Sequence, residues 1–288
     1  MKSFHILLIC LIPLVACQKP SPLKSEPSET ISETQQVKSA VLSQMIDSTG
    51  LLGAVLIFDP QKNSYYSNDF DWATSRHLPA STFKIPNSMI MLESGIMQND
   101  SSMITWHGDE RMFKSWEQDM MLRQAFHRSC LPCYQQLTRK LGYEKMQSYT
   151  SRLDYGQLVY DSIQFDKFWV EGKSGISQME QIAFLERLYR EELAFSARTH
   201  LLTKRLMVAQ SNEDFQLSAK TGWSIVDEHH NGWYVGYVQA SGQLYYFATN
   251  LTPPADYEMS LFSNIRKELT FLAFQRLGIA SSSWEPFR

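Results

Sequence analysis

The sequence predicts a mixed α/β domain in which an antiparallel sheet is assembled from both ends of the chain and a helical subdomain is inserted between them. Three observations carry that reading. Aromatic and β-branched stretches bounded by turn residues lie at both ends, around residues 51–69 and 215–251. Helical patterns fill the interval between them, to about Thr203. The balance of 43% hydrophobic to 20% charged residues over 288 positions is that of a globular chain, either one large domain or two interleaved ones. A cleft between sheet and helices is then the natural place for a site.

The chain opens outside the fold. Lys2 precedes an apolar run, Phe4 to Ala16, too short to span a bilayer comfortably and with the charge and length of an export signal. It ends in "LVAC", where a small residue before Cys17 has the form of a bacterial lipoprotein cleavage site. Residues 1–16 are therefore expected to be a signal peptide and Cys17 a lipidated N-terminus that anchors a periplasmic protein to a membrane. An ordinary signal peptide cleaved nearby is the alternative. Residues 17–40, rich in Ser, Pro, Glu, Thr and Gln, cannot bury a core and read as a polar tether. Residues 41–288 form the domain.

Within it, "LLGAVLIFDPQKNSYYSND" reads as two strands joined at "DPQKN". "SWEQDMMLRQAFHRS" and "SQMEQIAFLERLYREEL" read as helices; in the second, Ser177 and Glu180 have capping-box spacing, followed by Ile182, Leu185 and Leu188. "FQLSAKTGWSI", "GWYVGYVQA" and "QLYYFATNL" read as strands, with a hairpin turn at "ASGQ". A last helix runs roughly from Leu261 to Leu277. A net charge of −3 without a Lys/Arg block argues against nucleic acid as the main partner.

Two short motifs carry chemistry. In "LPASTFKIPNSMI", Ser81 and Lys84 share a face if a helix begins near Ser81. A serine needs a base to become a nucleophile, and a lysine serves only when an apolar setting keeps it neutral. Phe83, Ile85 and Met89 can provide that setting, and a helix start offers free N–H groups to an oxyanion. Pro86 complicates the helix by removing a donor. The second motif is Lys220-Thr221-Gly222 on a strand, offering a cation, a hydroxyl and a position where another backbone can come close. Either alone is weak. Together, in this order, they form the pairing of penicillin-binding proteins and class A β-lactamases. The Ser-Asp-Asn and Glu-x-x-Leu-Asn segments of class A are both absent, so a different deacylation device is required.

From Leu51 to Ile279, "PASTFKIPNSMI", "SCLPCYQ", "FWVEGKSGIS", "KTGW" and "IRKELTFLAFQRLGI" resemble the class D serine β-lactamases, the oxacillinases, in family order. The resemblance implies penicillins and related β-lactams as substrates and β-lactam resistance as the outcome. It implies Ser81 as nucleophile and Lys84, N-carboxylated by carbon dioxide or bicarbonate, as general base; no diffusible cofactor or metal is expected. Ser129 matches the serine of the family's Ser-x-Val motif, which relays a proton to the leaving nitrogen with help from Lys220. Trp169 matches the tryptophan whose N–H stabilises the carbamate. Thr221, Gly222, Trp223 and Arg266 fall on the substrate side: Arg266 for the substrate carboxylate, and the N–H groups of Ser81 and Trp223 for the oxyanion. A homodimer is compatible with this reading.

Each role has a plainer rival. Ser129 could cap a helix, Trp169 could be core, and Arg266 could be a solvated helix residue. The chain also departs from the pattern at Gln157, where the family often has Asn, and at Leu131, where it has Val. Cys130 and Cys133 flank that Leu; the spacing fits a redox pair, half a zinc site, two buried thiols or a disulfide that would fix the backbone of Ser129.

Overall fold

A computed structural model describes Met1 and residues 33–280. The signal segment, Cys17 and most of the tether lie outside the described residues. The chain divides into two units, Met1–Glu33 and Thr34–Arg288, and every strand and helix among the described residues belongs to the second.

Strands β1 (Gln35–Lys38), β2 (Leu52–Asp59) and β3 (Ser64–Ser67) come from the N-terminal end. A small pair, β4 (Met103–Ile104) and β5 (Met120–Met121), lies in the middle. Strands β6 (Val208–Ser211), β7 (Phe215–Val226), β8 (His229–Ala240) and β9 (Gln243–Thr252) come from the C-terminal end. The main sheet runs β1-β3-β2-β9-β8-β7-β6, so β2 against β9 joins the two ends of the chain. Every pairing in it is antiparallel except β1 with β3. The predicted hairpin turn is Ser241-Gly242, both at positive φ, as a two-residue turn between twisted strands demands.

β1 and the first residue of α1 fall inside the segment expected to be the tether. The side chains of β1 are all exposed, and its contribution is backbone pairing along β3, which a polar sequence performs as well as an apolar one.

The helices are α1 (Ala40–Asp47), α2 (Phe70–Thr74), α3 (Lys84–Glu93), α4 (Leu122–His127), α5 (Leu131–Leu141), α6 (Tyr143–Thr150), α7 (Gln178–Arg190), α8 (Ala197–Met207) and α9 (Met259–Arg276). One core cluster joins the sheet to the inserted helices and includes Phe83, Met89, Phe126, Trp169, Leu185 and Trp233. A second, on the other face, packs α1 and α9 against residues such as Ile57, Tyr234 and Phe247. The capping box at Ser177 forms as its spacing predicts. "SWEQDMMLRQAFHRS" is less helical than its pattern: a 3₁₀ turn (Lys114–Trp116) and β5 precede α4, and Trp116 is spent on packing below the loop.

Candidate active site

Ser81 lies not in an α-helix but in a 3₁₀ turn, Ala80–Phe83, that runs directly into α3. In 3₁₀ geometry residues three apart eclipse one another, so Lys84 stands over Ser81. Its Nζ donates to Ser81 Oγ at 2.8 Å. Pro86 does no harm, because it falls in the first turn of α3 where a missing N–H is tolerated. Ala80, at φ 51°, introduces the bend, and its N–H bonds the carbonyl of Trp169.

Lys84 is fully buried, with its Nζ 5.3 Å from the centre of the Tyr134 ring. Burial without an anionic partner lowers its pKa to about 7. Across the cleft, Lys220 Nζ donates to Ser129 Oγ at 2.5 Å and to the Thr221 carbonyl at 3.0 Å. Burial, followed by the positive charges of Lys84, Arg266 and Lys267, pushes Lys220 well below the ordinary lysine range.

β7 meets the 3₁₀ turn that carries Ser81 along its edge. β6 pairs only with residues 216–218, so among the described residues the later part of β7 has no strand on that side. The approach is close at Gly222: a Cβ there would sit 3.1 Å from Thr82 Cγ2, 3.1 Å from Trp233 Cβ and 3.2 Å from the Pro79 carbonyl. The close backbone approach expected of Gly222 is thus present, and the backbone approached is the one carrying Ser81.

Ser129 is not a helix cap. The cap of α5 is Cys130, whose sulfur accepts from the Cys133 N–H at 3.3 Å. Arg266 is not solvated either: it is buried, donates to the Gly222 carbonyl at 3.0 Å and stacks over the rings of Trp223 and Phe262. Burial lowers its pKa to about 10, still leaving it charged at neutral pH. Trp169 is core by packing, stacked on Phe83, yet its buried indole N–H has no partner among the described residues. A buried donor left unpaired is a costly feature.

A penicillin-binding protein transpeptidase domain matches residues 53–270. The β-lactamase OXA-10 of Pseudomonas aeruginosa is 33% identical over 87% of this chain and 90% of its own. The β-lactamase OXA-48 of Klebsiella pneumoniae is 35% identical over 75% of this chain and 82% of its own. The crystal structure of a class D β-lactamase from Sebaldella termitidis superimposes with a TM-score of 0.81 at 32% identity, covering 87% of this chain and 100% of that one. That of the class D enzyme YbXI from Nostoc gives 0.78 at 36%, covering 83% and 99%.

The chain belongs to the class D β-lactamases.

The departures from the class D pattern fall in different places. Gln157 is exposed, and its amide faces Arg76, which also pairs with Glu180, so the longer side chain points to the surface. Leu131 opens α5 half-buried against the core beneath the cleft. Cys130 and Cys133 are bonded to each other and buried, which removes the thiolates that a zinc site or an accessible dithiol would use.

Several supports went unread in the sequence. The Leu78 carbonyl, just before the nucleophile turn, accepts from Asn231 Nδ2 and Trp233 Nε1, each at 2.8 Å. Thr82 Oγ1 lies 3.1 Å from the Tyr155 hydroxyl and accepts from Gln181 Nε2 at 2.8 Å. Gln181 is a polar residue on the buried side of α7, a misfit in the helical pattern that would have pointed to a buried partner.

Proposed function

We propose that this enzyme hydrolyses penicillins and related β-lactams through an acyl-enzyme on Ser81, and so confers resistance to them. The observation that carries the proposal is the buried, depressed Lys84 amine at 2.8 Å from the Ser81 hydroxyl. A lysine of pKa near 7 is neutral in good part at neutral pH, the form that carboxylation to the general base requires. Ser81 Oγ then attacks the ring carbonyl, and the N–H groups of Ser81 and Trp223 receive the developing oxyanion. Ser129, hydrogen-bonded to Lys220, passes a proton to the departing ring nitrogen. Arg266, with Thr221, takes the substrate carboxylate; Gly222 lets β7 lie against the nucleophile turn so that these donors converge on one point.

Carbon dioxide adds to neutral amines, and the residues around Lys84 suit the resulting carbamate. The amine is neutral in a substantial fraction near pH 7, and the unpaired Trp169 N–H and the Ser81 hydroxyl are available donors to a buried anion. When formed, the carbamate would supply a general base for both acylation and deacylation, and Trp169 would hold it through its N–H.

Nitrocefin turnover by purified protein, with Ser81→Ala and Lys84→Ala alongside, tests this reading. Expected are sustained turnover by the wild type, none by Ser81→Ala, and at most slow acylation without release by Lys84→Ala. Wild-type activity should fall on acidification and recover with added bicarbonate. Stoichiometric acylation without turnover would instead make the protein a β-lactam sensor, and full turnover by Ser81→Ala would end the proposal.

A further inference from the structure

Ser129 occupies a conformation it would not choose. Its φ is 53°, the left-handed region, which disfavours residues with a Cβ. Without restraint this residue relaxes, and its hydroxyl swings away from Lys220. The backbone is pinned on both sides. On the N-terminal side, the Arg128 carbonyl accepts from the indole N–H of buried Trp116 at 3.0 Å. On the C-terminal side, Cys130 is bonded to Cys133 in the first turn of α5.

Arg111 ties the two pins together. It is a buried guanidinium on the loop between β4 and β5, aligned by Asp109 through two hydrogen bonds at 2.9 and 3.2 Å. Its Nη1 donates to the Trp116 carbonyl at 2.9 Å and reaches Cys133 Sγ at 3.5 Å and Cys130 Sγ at 3.9 Å. One cation therefore holds the loop bearing Trp116 against the disulfide beside Ser129. A guanidinium so buried, with its one carboxylate partner half-exposed, is poorly explained by stability alone.

We propose that Arg111, Trp116 and the Cys130–Cys133 disulfide are positioning residues that fix Ser129 Oγ on Lys220 and so set the rate of acylation. The inference rests on the hydrolytic reading above. Ser129 serves the departing ring nitrogen, which leaves during acylation only, whereas Ser81 and Lys84 serve both half-reactions. Loss of the clamp should therefore slow one half-reaction and spare the other, a split that general loosening of the fold would not produce.

The test measures acylation and deacylation rate constants separately, with nitrocefin, for the wild type, a Cys130→Ala/Cys133→Ala double variant and Trp116→Phe. Acylation is expected to fall about tenfold in the double variant and severalfold in Trp116→Phe, with deacylation within about twofold of wild type. Equal slowing of both steps, or unchanged acylation, overturns the proposal. Should the double variant fail to fold, Trp116→Phe, which removes the indole N–H while keeping an aromatic ring in place, decides by the same criteria. A wild type that does not turn over nitrocefin refutes the hydrolytic reading instead, which the same measurement shows first.

Discussion

The cleft holds two serine–lysine pairs of similar appearance and opposite construction. Ser81 and Lys84 meet at 2.8 Å across one turn of backbone, three residues apart. Ser129 and Lys220 meet at 2.5 Å across 91 residues, one on a strained loop and the other on a strand. The first pair is a product of local geometry: once the 3₁₀ turn forms, the two groups cannot avoid each other. The second exists only when the helical subdomain, the clamp around Ser129 and β7 are all in register. On the proposed mechanism, the chemistry needed in both half-reactions thus falls on the pair least exposed to distant disturbance.

The largest expected effect comes from removing the local pair. Lys84→Met should cut turnover by about a thousandfold or more, the upper range for a positioned base. The same change should stabilise the fold. Lys84 has a pKa near 7 when folded against about 10.4 when unfolded. Between those values the unfolded chain holds a proton that the folded chain has released, so stability rises with pH across that window. Below pH 7 the folded protein must bury an ammonium, and the penalty is at its fullest. In carbon-dioxide-depleted buffer at pH 6, Lys84→Met is therefore expected to be more stable than wild type by roughly a few kcal/mol, shrinking towards pH 10. Urea unfolding at the two pH values checks this; a variant less stable than wild type at pH 6 would mean that burial does not set the amine's pKa.

The two pairs also differ in how far the sequence disclosed them. Ser81–Lys84 was visible as spacing, because a turn converts spacing into contact by itself. The sheet was legible for the same reason, since alternation and turn residues are local signals. The Ser129–Lys220 pair is reached only through family resemblance, and of its supports only the disulfide is among the readings that the cysteine spacing leaves open. Arg111 sits in a loop without periodicity, and nothing local tells a buried arginine from a solvated one; Trp116 heads a stretch that reads as a helix, and its bond to the Arg128 carbonyl leaves no mark there. The unpaired N–H of Trp169 is likewise a property of surroundings, not of sequence. β1 was missed because a strand that contributes only backbone leaves no pattern in its side chains.

A middle-sized effect is expected where the two pairs are joined. Gly222 brings β7 within van der Waals distance of the nucleophile turn, and an added Cβ meets Thr82, Trp233 and the Pro79 carbonyl together. With no open side, the strand must back away by a few tenths of an ångström or more. Gly222→Ala should lower kcat/KM by about ten- to hundredfold, since misplacement of this order disturbs alignment of the reacting groups. It should also destabilise the fold by about 1–3 kcal/mol, as overpacking does. Both constants should suffer, because Trp223 and Lys220 move relative to Ser81 as a unit. Kinetics confined to a KM change would show that β7 adjusts without shifting its neighbours.

The smallest effect is expected at Gln157, one of the two departures from the class D pattern. Its backbone is held by Gly175 in a two-way bridge, with N–H and C=O each bonded at 2.8 Å, so the chain path there does not depend on the side chain. The side chain is exposed, and its one contact, Arg76 Nη1 at 3.4 Å, is long for a hydrogen bond. Arg76 keeps its shorter bonds to Glu180 whatever occupies position 157. Tyr155, two residues earlier, is the member of the segment that reaches the nucleophile turn, through Thr82. Gln157→Asn should therefore leave kcat, KM and stability within about twofold and about 0.5 kcal/mol of wild type, the range of ordinary surface substitutions. A larger change in KM alone would indicate that substrate extends along the surface as far as Arg76, and that this part of the wall belongs to the site after all.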